Sequence, residues 1–264
     1  MRAFLWLLIV LMGCGTTPTT SLVLASTTST EDSGLFDELL PAFERANPGY
    51  DIKLIAVGSG EALAIGRRGD ADVLLVHSPA AESTFMAGGF GESRASVMVN
   101  EFVLVGSGSD SAAVRGLTDV GVAFQRIARA RARFLSRGDS SGTHVKELQL
   151  WAAAGVPIRD QSWYSDVGQG MGETLRMTSE QQAYTLTDRG SYLALASGLK
   201  LEILVQGDSR LANPYSVIVV RSAKNAPGAR TFAEWITGTE GQRIIGEFGR
   251  DLFPVPLFEP VKHN

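Results

Sequence analysis

Short apolar runs alternate with segments whose apolar residues recur at helical spacing along most of the chain. SLVLAS (21–26) is followed by the polar stretch TTSTEDS and then by GLFDELLPAFERA, in which the apolar positions fit one face of a helix. The runs YDIKLIAV (50–57) and ADVLLVHS (71–78) are followed in the same way by small or polar residues and then by helical patterns. These patterns predict strands that each lead through a loop into a helix.

The same alternation continues in the second half of the chain. RARFLS (131–136) leads through a polar loop into HVKELQLWAAAG, and the stop signals Gly155 and Pro157 follow. LEILVQG and SVIVV predict later strands, and FAEWITG and GQRIIGEFG predict terminal helices. Strands that alternate with helices are typical of an α/β protein with mostly parallel sheets.

The first residues predict export from the cytoplasm. The apolar run 3–12 after Arg2 is about half the length of the roughly 20 residues that cross a bilayer as a helix. It therefore indicates a secretory signal over residues 1–13. The motif LMGC resembles the lipobox of bacterial lipoproteins, which predicts that Cys14 carries lipid and that residues 14–20 form a polar tether. A plain signal peptide with a chance Cys is the alternative.

Composition and charge exclude several classes of protein. Lys and Arg number 24 against 28 Asp and Glu, which gives a net charge of −4 over 264 residues. This balance lacks the basic field of a nucleic-acid-binding protein, so we expect no nucleic-acid partner. Three His and one Cys cannot form a structural zinc site or a disulfide. We therefore expect no cofactor and no structural metal.

Three predicted strand-to-helix junctions, at 27–30, 58–60 and 140–143, share a chemistry rich in hydroxyl groups and glycine. In open α/β sheets, ligands bind beyond the carboxyl ends of the strands, where such junctions lie. Free backbone N–H groups at helix starts, hydroxyl donors and Gly together favour a donor-rich pocket for an anion. Helix capping by Ser and Thr is the alternative for any one junction.

Arg137 adds a cation that helix capping does not require. Its guanidinium offers five donors in a planar fork, which suits two oxygens of one anion. Asp139 would repel an anion, so we expect it to orient Arg137 or to cap the following helix. The alternative is a surface arginine that simply pairs with Asp139.

Four stretches together resemble one family of transport proteins. They are SRGDSSGTH (136–144), TTSTEDSGLFDELLPAFE (27–44), VGQGMGETLRMTSEQQAYTLTDRGSYLAL (167–195) and NPYSVIVV (213–220). In this order they resemble the extracytoplasmic oxyanion-binding proteins that feed ABC importers, and in particular their tungstate-binding members.

The resemblance implies a type II periplasmic-binding-protein fold, with mixed, mainly parallel sheets flanked by helices and a ligand cleft between two lobes. No Pro- or Ser-rich linker divides the chain, so the apolar runs 101–110 and 212–220 are the candidate crossings. Lobe 1 would comprise residues 21–103 and 214–264, and lobe 2 would comprise residues 104–213. Carried over by position, the residues expected to bind a tetrahedral anion are Thr28, Ser29, Ser59, Arg137, Ser141, Gly142 and Thr143.

We therefore expect an exported monomer, in the periplasm or at the cell surface, that delivers tungstate or molybdate to the permease of an ABC importer. A phosphate-binding protein stays open, because its family carries a related Arg, Asp and Ser-Gly-Thr loop; the opening STTSTEDSG favours tungstate. A secreted hydrolase would need His144 as a base for Ser141, and no acid partner stands at an interpretable spacing. An adhesion module would leave the three junctions unexplained.

Asp188 is expected to cap a helix, whereas the roles of Arg189 and of the segment 168–172 stay open.

Overall fold

The apolar runs form an open, mixed sheet with helices packed on both of its faces. The computed structural model describes residues 19–251 and 256–261, so the predicted signal peptide, Cys14 and most of the tether lie outside the described residues. The strands are β1 (Thr20–Thr27), β2 (Tyr50–Val57), β3 (Val73–Val76), β4 (Gly91–Ser107), β5 (Phe134–Ser136), β6 (Tyr164–Asp166), β7 (Tyr184–Asp188), β8 (Leu201–Val205), β9 (Ala212–Val220) and β10 (Glu259–Pro260). The helices are α1 (Thr28–Asp32), α2 (Leu35–Ala46), α3 (Ser59–Arg68), α4 (Pro79–Ala87), α5 (Val120–Ala130), α6 (Gly142–Ala153), α7 (Met171–Glu180), α8 (Arg189–Leu195), α9 (Ala226–Thr237) and α10 (Thr239–Glu247).

The strand order in the sheet is β2-β1-β3-β9-β4-β7-β5-β6, and β8 and β10 also pair with β4. Parallel pairings join β1 to β2 and β3, and β5 to β6 and β7. Each antiparallel pairing between the described strands involves β4 or β9. The sheet therefore consists of two parallel groups joined by two long antiparallel strands.

Strand β4 crosses from one parallel group to the other. Its residues up to Glu101 pair with β9, and its residues from Phe102 onward pair with β7. The sequence predicted that the runs 101–110 and 212–220 cross between the lobes. Strand β4 begins well before the first of these runs, whereas β9 coincides with the second. The lobe boundaries drawn from the sequence, at 103/104 and 213/214, stay predictions.

Both faces of the sheet are covered because alternate strand residues point to opposite sides. Leu22 of β1 packs in a cluster with α2, α9 and α10, whereas Leu74 of β3 packs with α3 and α4. In the second group, Leu104 packs with α5 and α6, and its neighbour Val105 packs with α7 and α8. Because helices cover both faces of the sheet, a ligand site can form only at the loops that follow the strands. None of the helices in the described parts of the chain is long and apolar enough to span a bilayer.

The polar stretch after β1 contains the short helix α1, which the apolar pattern did not reveal. Thr27 caps this helix, since its Oγ1 accepts a hydrogen bond from the backbone N–H of Thr30 at 3.3 Å. Gly34 then takes a left-handed conformation with φ +81°, which glycine adopts without steric cost, and α2 begins at Leu35. The pattern missed α1 because its short hydroxyl and acidic side chains carry no apolar period.

Candidate anion site

The junctions after β1, β2 and β5 meet at one edge of the sheet. Arg137, which follows β5, places its Nη1 3.4 Å from the Oγ of Ser29 in α1. Gly58, which follows β2, lies against Ser141, because a Cβ atom at Gly58 would stand 3.5 Å from the Cα of Ser141. The structure therefore brings together the three junctions that the sequence singled out.

Helix capping accounts for some of the hydroxyl groups at these junctions and not for others. The Oγ of Ser141 caps α6 by accepting a hydrogen bond from the backbone N–H of His144 at 3.3 Å, and Thr27 caps α1. Helix α3, in contrast, has no side-chain cap, and Ser59 is its first residue. Among the residues expected to bind the anion, the hydroxyl of Ser29 contacts Arg137, whereas those of Thr28, Ser59 and Thr143 neither cap a helix nor have another partner in the described residues.

Buried polar atoms without hydrogen-bond partners are concentrated at this edge. Within residues 19–251 and 256–261, six buried side-chain nitrogen and oxygen atoms have no partner. An unpaired buried polar group costs about 1–3 kcal/mol, so such groups normally find a partner. Four of the six atoms belong to residues expected to bind the anion: Thr28 Oγ1, Ser59 Oγ, Arg137 Nε and Thr143 Oγ1. Since Nε can only donate, this cluster indicates a ligand that accepts hydrogen bonds.

Arg137 is a buried residue, only 3% exposed, rather than a surface arginine. Its Nη2 lies 2.5 Å from the Oδ2 of Asp139. The other carboxylate oxygen of Asp139 accepts a hydrogen bond from the backbone N–H of Ser141 at 3.1 Å. Asp139 thus links Arg137 to the start of α6, and its orienting role stays a prediction.

Gly142 occupies a position that has no room for a side chain. A Cβ atom there would stand 3.0 Å from the Cε1 and 3.2 Å from the backbone oxygen of His77, which follows β3. The imidazole of His77 is held by a hydrogen bond of 2.8 Å between its Nδ1 and the Oδ1 of Asn213 in β9. Burial lowers the pKa of His77 to about 4, so the ring is neutral near pH 7. Glycine therefore lets the start of α6 approach a rigid neighbour closely.

His144 does not form a catalytic pair with Ser141. Its imidazole Nδ1 accepts a hydrogen bond from the backbone N–H of Ser140 at 3.0 Å. In the described part of the chain, the contact between His144 and the Oγ of Ser141 is made by the backbone N–H and not by the ring. A serine nucleophile would need the ring nitrogen as its base, so this geometry does not support the hydrolase alternative.

The segment 168–172, whose role the sequence leaves open, lines a cavity beside Thr28. The cavity measures about 280 Å³, and two glycines of this segment border it together with Asp32 and Arg176. Its walls come from α1 on one side and from α7 on the other. The segment therefore lies next to the candidate site.

Sequence reasoning missed a buried carboxyl group at the same edge. Asp188 ends β7 and, as expected, caps α8 by accepting a hydrogen bond from the backbone N–H of Ser191 at 2.9 Å. Asp188 is 0% exposed, and its Oδ2 has no hydrogen-bond partner among the described residues. Burial raises the pKa of Asp188, and the charge of Arg137 opposes that rise. Arg189 instead forms an ion pair with Glu101. Asp188 could have been predicted as a site residue from its position, because it lies at the carboxyl end of a strand that runs parallel to β5.

Two groups of strands with a donor-lined site at their common edge are the architecture of a two-lobed solute-binding protein. The family profile described as the PBP superfamily domain matches residues 15–240, and the chain belongs to this superfamily. The tungstate-binding protein TupA of Peptoclostridium acidaminophilum is 46% identical over 246 residues, which cover 91% of this chain and 85% of the relative.

Two solved structures are similar to the chain in both sequence and fold. The crystal structure of the tungstate ABC transporter from Geobacter sulfurreducens is 44% identical with a TM-score of 0.78, covering 86% of this chain and 98% of that chain. The tungstate-binding protein TupA from Desulfovibrio alaskensis G20 is 41% identical with a TM-score of 0.78, covering 92% of this chain and 99% of that chain. The family resemblance and the fold class expected from the sequence are thus confirmed.

Proposed function

We propose that this protein captures tungstate outside the cytoplasm and delivers it to the permease of an ABC importer, without catalysis of its own. The observation that carries the proposal is the cluster of unpaired polar atoms on Thr28, Ser59, Arg137 and Thr143. Relatives named for tungstate binding, which align over most of the chain, support the choice of anion. Because one chain supplies all of these groups, a monomer is sufficient for binding.

The protonation state of the anion explains why tungstate fits this site better than phosphate. At pH 7 tungstate is a dianion without a proton, whereas phosphate carries at least one proton. Hydroxyl groups and a guanidinium can donate to four bare oxygens. Asp139, the carboxylate closest to Arg137, already has both oxygens engaged, by Arg137 and by the backbone of Ser141. Asp139 is therefore poorly placed to accept a proton from phosphate, and Asp188, whose Oδ2 is free in the described structure, has no described contact with Arg137.

Competition titrations of the purified protein at pH 7 test the choice of anion. An O–H group that meets no acceptor costs about 1–3 kcal/mol, and 1.4 kcal/mol is a factor of about ten in affinity. We therefore expect tungstate to bind at least about tenfold more tightly than phosphate, and molybdate, which has the same charge, to compete with tungstate. Equal or tighter binding of phosphate would overturn the proposal.

The variant Arg137→Gln tests the role of the buried cation. Glutamine keeps one donor and loses the charge, so tungstate binding should weaken by about 1.5–3 kcal/mol, the contribution of a charge-assisted hydrogen bond. Arg129→Gln, on the exposed side of α5, removes the same charge away from the site and should leave the affinity unchanged. If both variants bind tungstate like the parent, Arg137 has no part in binding.

Export and lipid attachment at Cys14 belong to the same proposal and rest on the sequence of the first residues. A diacylglycerol group on Cys14 would hold the protein at the membrane near its permease, since two acyl chains anchor stably where one does not. Cys14→Ser should move the protein from the membrane fraction to the soluble extracytoplasmic fraction. Identical fractionation of variant and parent would refute the lipid anchor and leave tungstate binding intact.

A further inference from the structure

Asp188 is a carboxyl group whose surroundings satisfy only one of its oxygens. Its Oδ1 accepts hydrogen bonds from the backbone N–H of Ser191 at 2.9 Å and from the Nδ2 of Asn100 at 3.3 Å. Its Oδ2 is buried and has no partner in the described parts of the chain. Without water, an ionised carboxylate with an unpaired oxygen is far more costly to bury than a neutral carboxyl group, whose O–H costs no more than another unpaired polar group. Oδ2 is therefore the place where Asp188 would hold a proton.

Asp188 lies at the edge of the sheet where the anion is expected to bind. It ends β7, and Arg137 follows β5, the parallel neighbour of β7. Ser29 connects the two positions: its Oγ lies 3.4 Å from the Nη1 of Arg137, and its backbone oxygen accepts a hydrogen bond from the Oγ of Ser191 at 3.4 Å. No described contact joins Asp188 to Arg137 directly, so the two groups interact through their charges.

The charged and titratable groups that face Asp188 come from three other elements. They are Arg137 after β5, Asp32 at the end of α1 and Tyr215 in β9. Arg189 lies next in the sequence but pairs with Glu101. Arg137 is thus the only cation among the groups that face Asp188 in the described structure, and it is already shared with Asp139 at 2.5 Å.

A bound dianion changes this balance of charge. It adds two negative charges beside Arg137, in a site where burial keeps the screening by water low. An ionised Asp188 would then face a net negative charge without a donor at Oδ2, and like charges disfavour ionisation. A neutral Asp188 avoids this repulsion.

We propose that Asp188 takes up one proton from solvent when a dianion binds beside Arg137, so that the affinity for the anion rises as the pH falls. The proposal rests on the proposed function, because it concerns the same site. The proton is bound at Oδ2 and returns to solvent when the anion leaves. Asp188 is not a ligand of the anion here, since it acts on the bound dianion through its charge.

The direction of the pH dependence follows from the two states of the site. Burial already raises the pKa of Asp188 in the free protein, and the dianion raises that pKa further. Between these two pKa values the bound protein holds one more proton than the free protein, so binding strengthens with falling pH. By linkage, one proton changes the dissociation constant by at most about tenfold per pH unit.

Titration calorimetry with sodium tungstate between about pH 6.5 and pH 9 tests the proposal on the wild type and on Asp188→Asn. Asparagine is as good a helix cap as aspartate, so α8 keeps its start. We expect the wild type to lose affinity as the pH rises and Asp188→Asn to keep a nearly constant affinity, binding more tightly than the wild type at the alkaline end. Protonation of the anion itself affects both proteins equally and cancels in their comparison.

Two control variants separate Asp188 from other carboxyl groups. Glu147→Gln removes a buried carboxyl in α6 whose pKa is raised to about 7 by burial, and Glu180→Gln removes an exposed carboxyl in α7. Both variants should keep the pH dependence of the wild type. If the dependence persists in Asp188→Asn, or if the wild type shows none, the proposal is wrong.

A second measurement does not depend on how the variant folds. The heat of tungstate binding to the wild type, in buffers of different ionisation enthalpy, gives the number of protons taken up, and we expect a value above zero and up to about one. Zero uptake at every pH would overturn the proposal while leaving tungstate binding established. Absence of tungstate binding at every pH would instead overturn the proposed function, and this inference with it.

Discussion

The described structure contains buried hydroxyl groups that hold the backbone and buried hydroxyl groups that have no partner. Thr27 and Ser141 accept hydrogen bonds from backbone N–H groups and cap helices. Thr178, within α7, donates to the backbone oxygen of Thr174 at 2.7 Å. Thr143 is just as buried, and its Oγ1 has no partner among the described residues. A group of the second kind weakens the fold and is available to a ligand, a trade-off that is common at binding sites.

The variant Thr143→Val tests this distinction. Valine keeps the shape of threonine and removes the unpaired hydroxyl, so the free energy of unfolding without ligand should stay equal or rise by up to about 1–3 kcal/mol, while tungstate binds less tightly. Thr178→Val is the matched control, because it loses a satisfied hydrogen bond and should lower stability without changing affinity. Thermal unfolding and tungstate titration measure both effects. A Thr143→Val protein that binds like the parent would remove this hydroxyl from the site.

The role of a single residue can be predicted from the sequence when local chemistry determines it, and not when contacts between distant residues determine it. Ser59 and Arg137 were predicted because donors for an anion have recognisable chemistry and lie at strand-to-helix junctions, and the structure places both in the candidate site. Asp188 was expected only to cap a helix, which is a local property. Its burial and its nearness to Arg137 depend on packing between residues that are distant in the sequence, such as Asn100 at 88 positions away. A spacing pattern carries no information about such contacts.

The position of α6 depends on the absence of a side chain at its first residue, Gly142. Gly142 lies against His77, and a Cβ atom there would approach the imidazole to 3.0 Å. His77 cannot easily move, because its ring is buried and bonded to Asn213. The side chain of alanine would therefore push α6, and with it the hydroxyl of Thr143, away from β3.

Gly142→Ala should accordingly weaken tungstate binding, by an amount on the order of the 1–3 kcal/mol that overpacking a well-packed position costs in folding stability. Gly49→Ala is the control, since nothing lies within 4 Å of a Cβ atom at that position. The two affinities can be compared by calorimetry at one pH. Unchanged binding by Gly142→Ala would show that the start of α6 adjusts to the extra methyl group.

Glu147, also in α6, gives the fold a pH dependence of its own. Its Oε1 accepts hydrogen bonds from the Nε1 of Trp151 at 3.0 Å and from the hydroxyl of Tyr164 at 2.8 Å. Burial raises the pKa of Glu147 from 4.5 to about 7. Because the pKa is higher in the folded protein than in the unfolded chain, the stabilising contribution is complete below about pH 4.5 and is lost as the pH rises through about 7.

Each pKa unit corresponds to about 1.4 kcal/mol, so the contribution of Glu147 to the free energy of unfolding should fall by about 3 kcal/mol across this window. The buried His77, whose pKa is lowered, changes the stability of wild type and variants alike in the opposite direction, so the quantity to compare is the difference between each variant and the wild type. In Glu147→Gln, which keeps an acceptor for Trp151 and Tyr164, this fall should be absent. Glu180→Gln, at an exposed position of α7, should retain it. Denaturant titrations of the ligand-free proteins at several pH values between 4.5 and 8 measure the difference. Parallel pH profiles of stability in wild type and Glu147→Gln would contradict the assignment to Glu147.

Elements with a clear apolar period could be predicted from the sequence, and elements without one could not. The apolar faces of α2 and the runs that became β1, β2 and β3 were read from spacing alone. Helix α1 was missed because capping and turn geometry, rather than hydrophobicity, determine it. The full length of β4 was missed because its first half, GESRASV, is largely exposed and its apolar positions do not alternate.

At the scale of the whole molecule, two strands, β4 and β9, join the parallel groups of the sheet in the described structure. β4 changes its pairing partner between Glu101 and Phe102, and β9 begins beside that point at Ala212. The alternation of strands and helices predicted an α/β protein, but it could not show which strands are antiparallel, since pairing direction depends on contacts between distant segments. A two-lobed fold followed from the family resemblance rather than from the pattern.

In the described structure the two groups of strands touch across the candidate site, where Arg137 contacts Ser29 and Ser141 packs against Gly58. We expect this arrangement to be the closed form of the cleft. An anion held from both sides binds this form more tightly than an open one and so shifts the population toward it. Since the two groups of strands are joined by continuous strands, we expect closure by a hinge near the crossing.

Small-angle scattering should therefore show a smaller radius of gyration when tungstate is added. Arg137→Gln at the same tungstate concentration should show a smaller change, because fewer molecules are loaded. A ligand-free curve that already fits the closed structure, or a wild-type curve that does not respond to saturating tungstate, would contradict a cleft that closes on its anion.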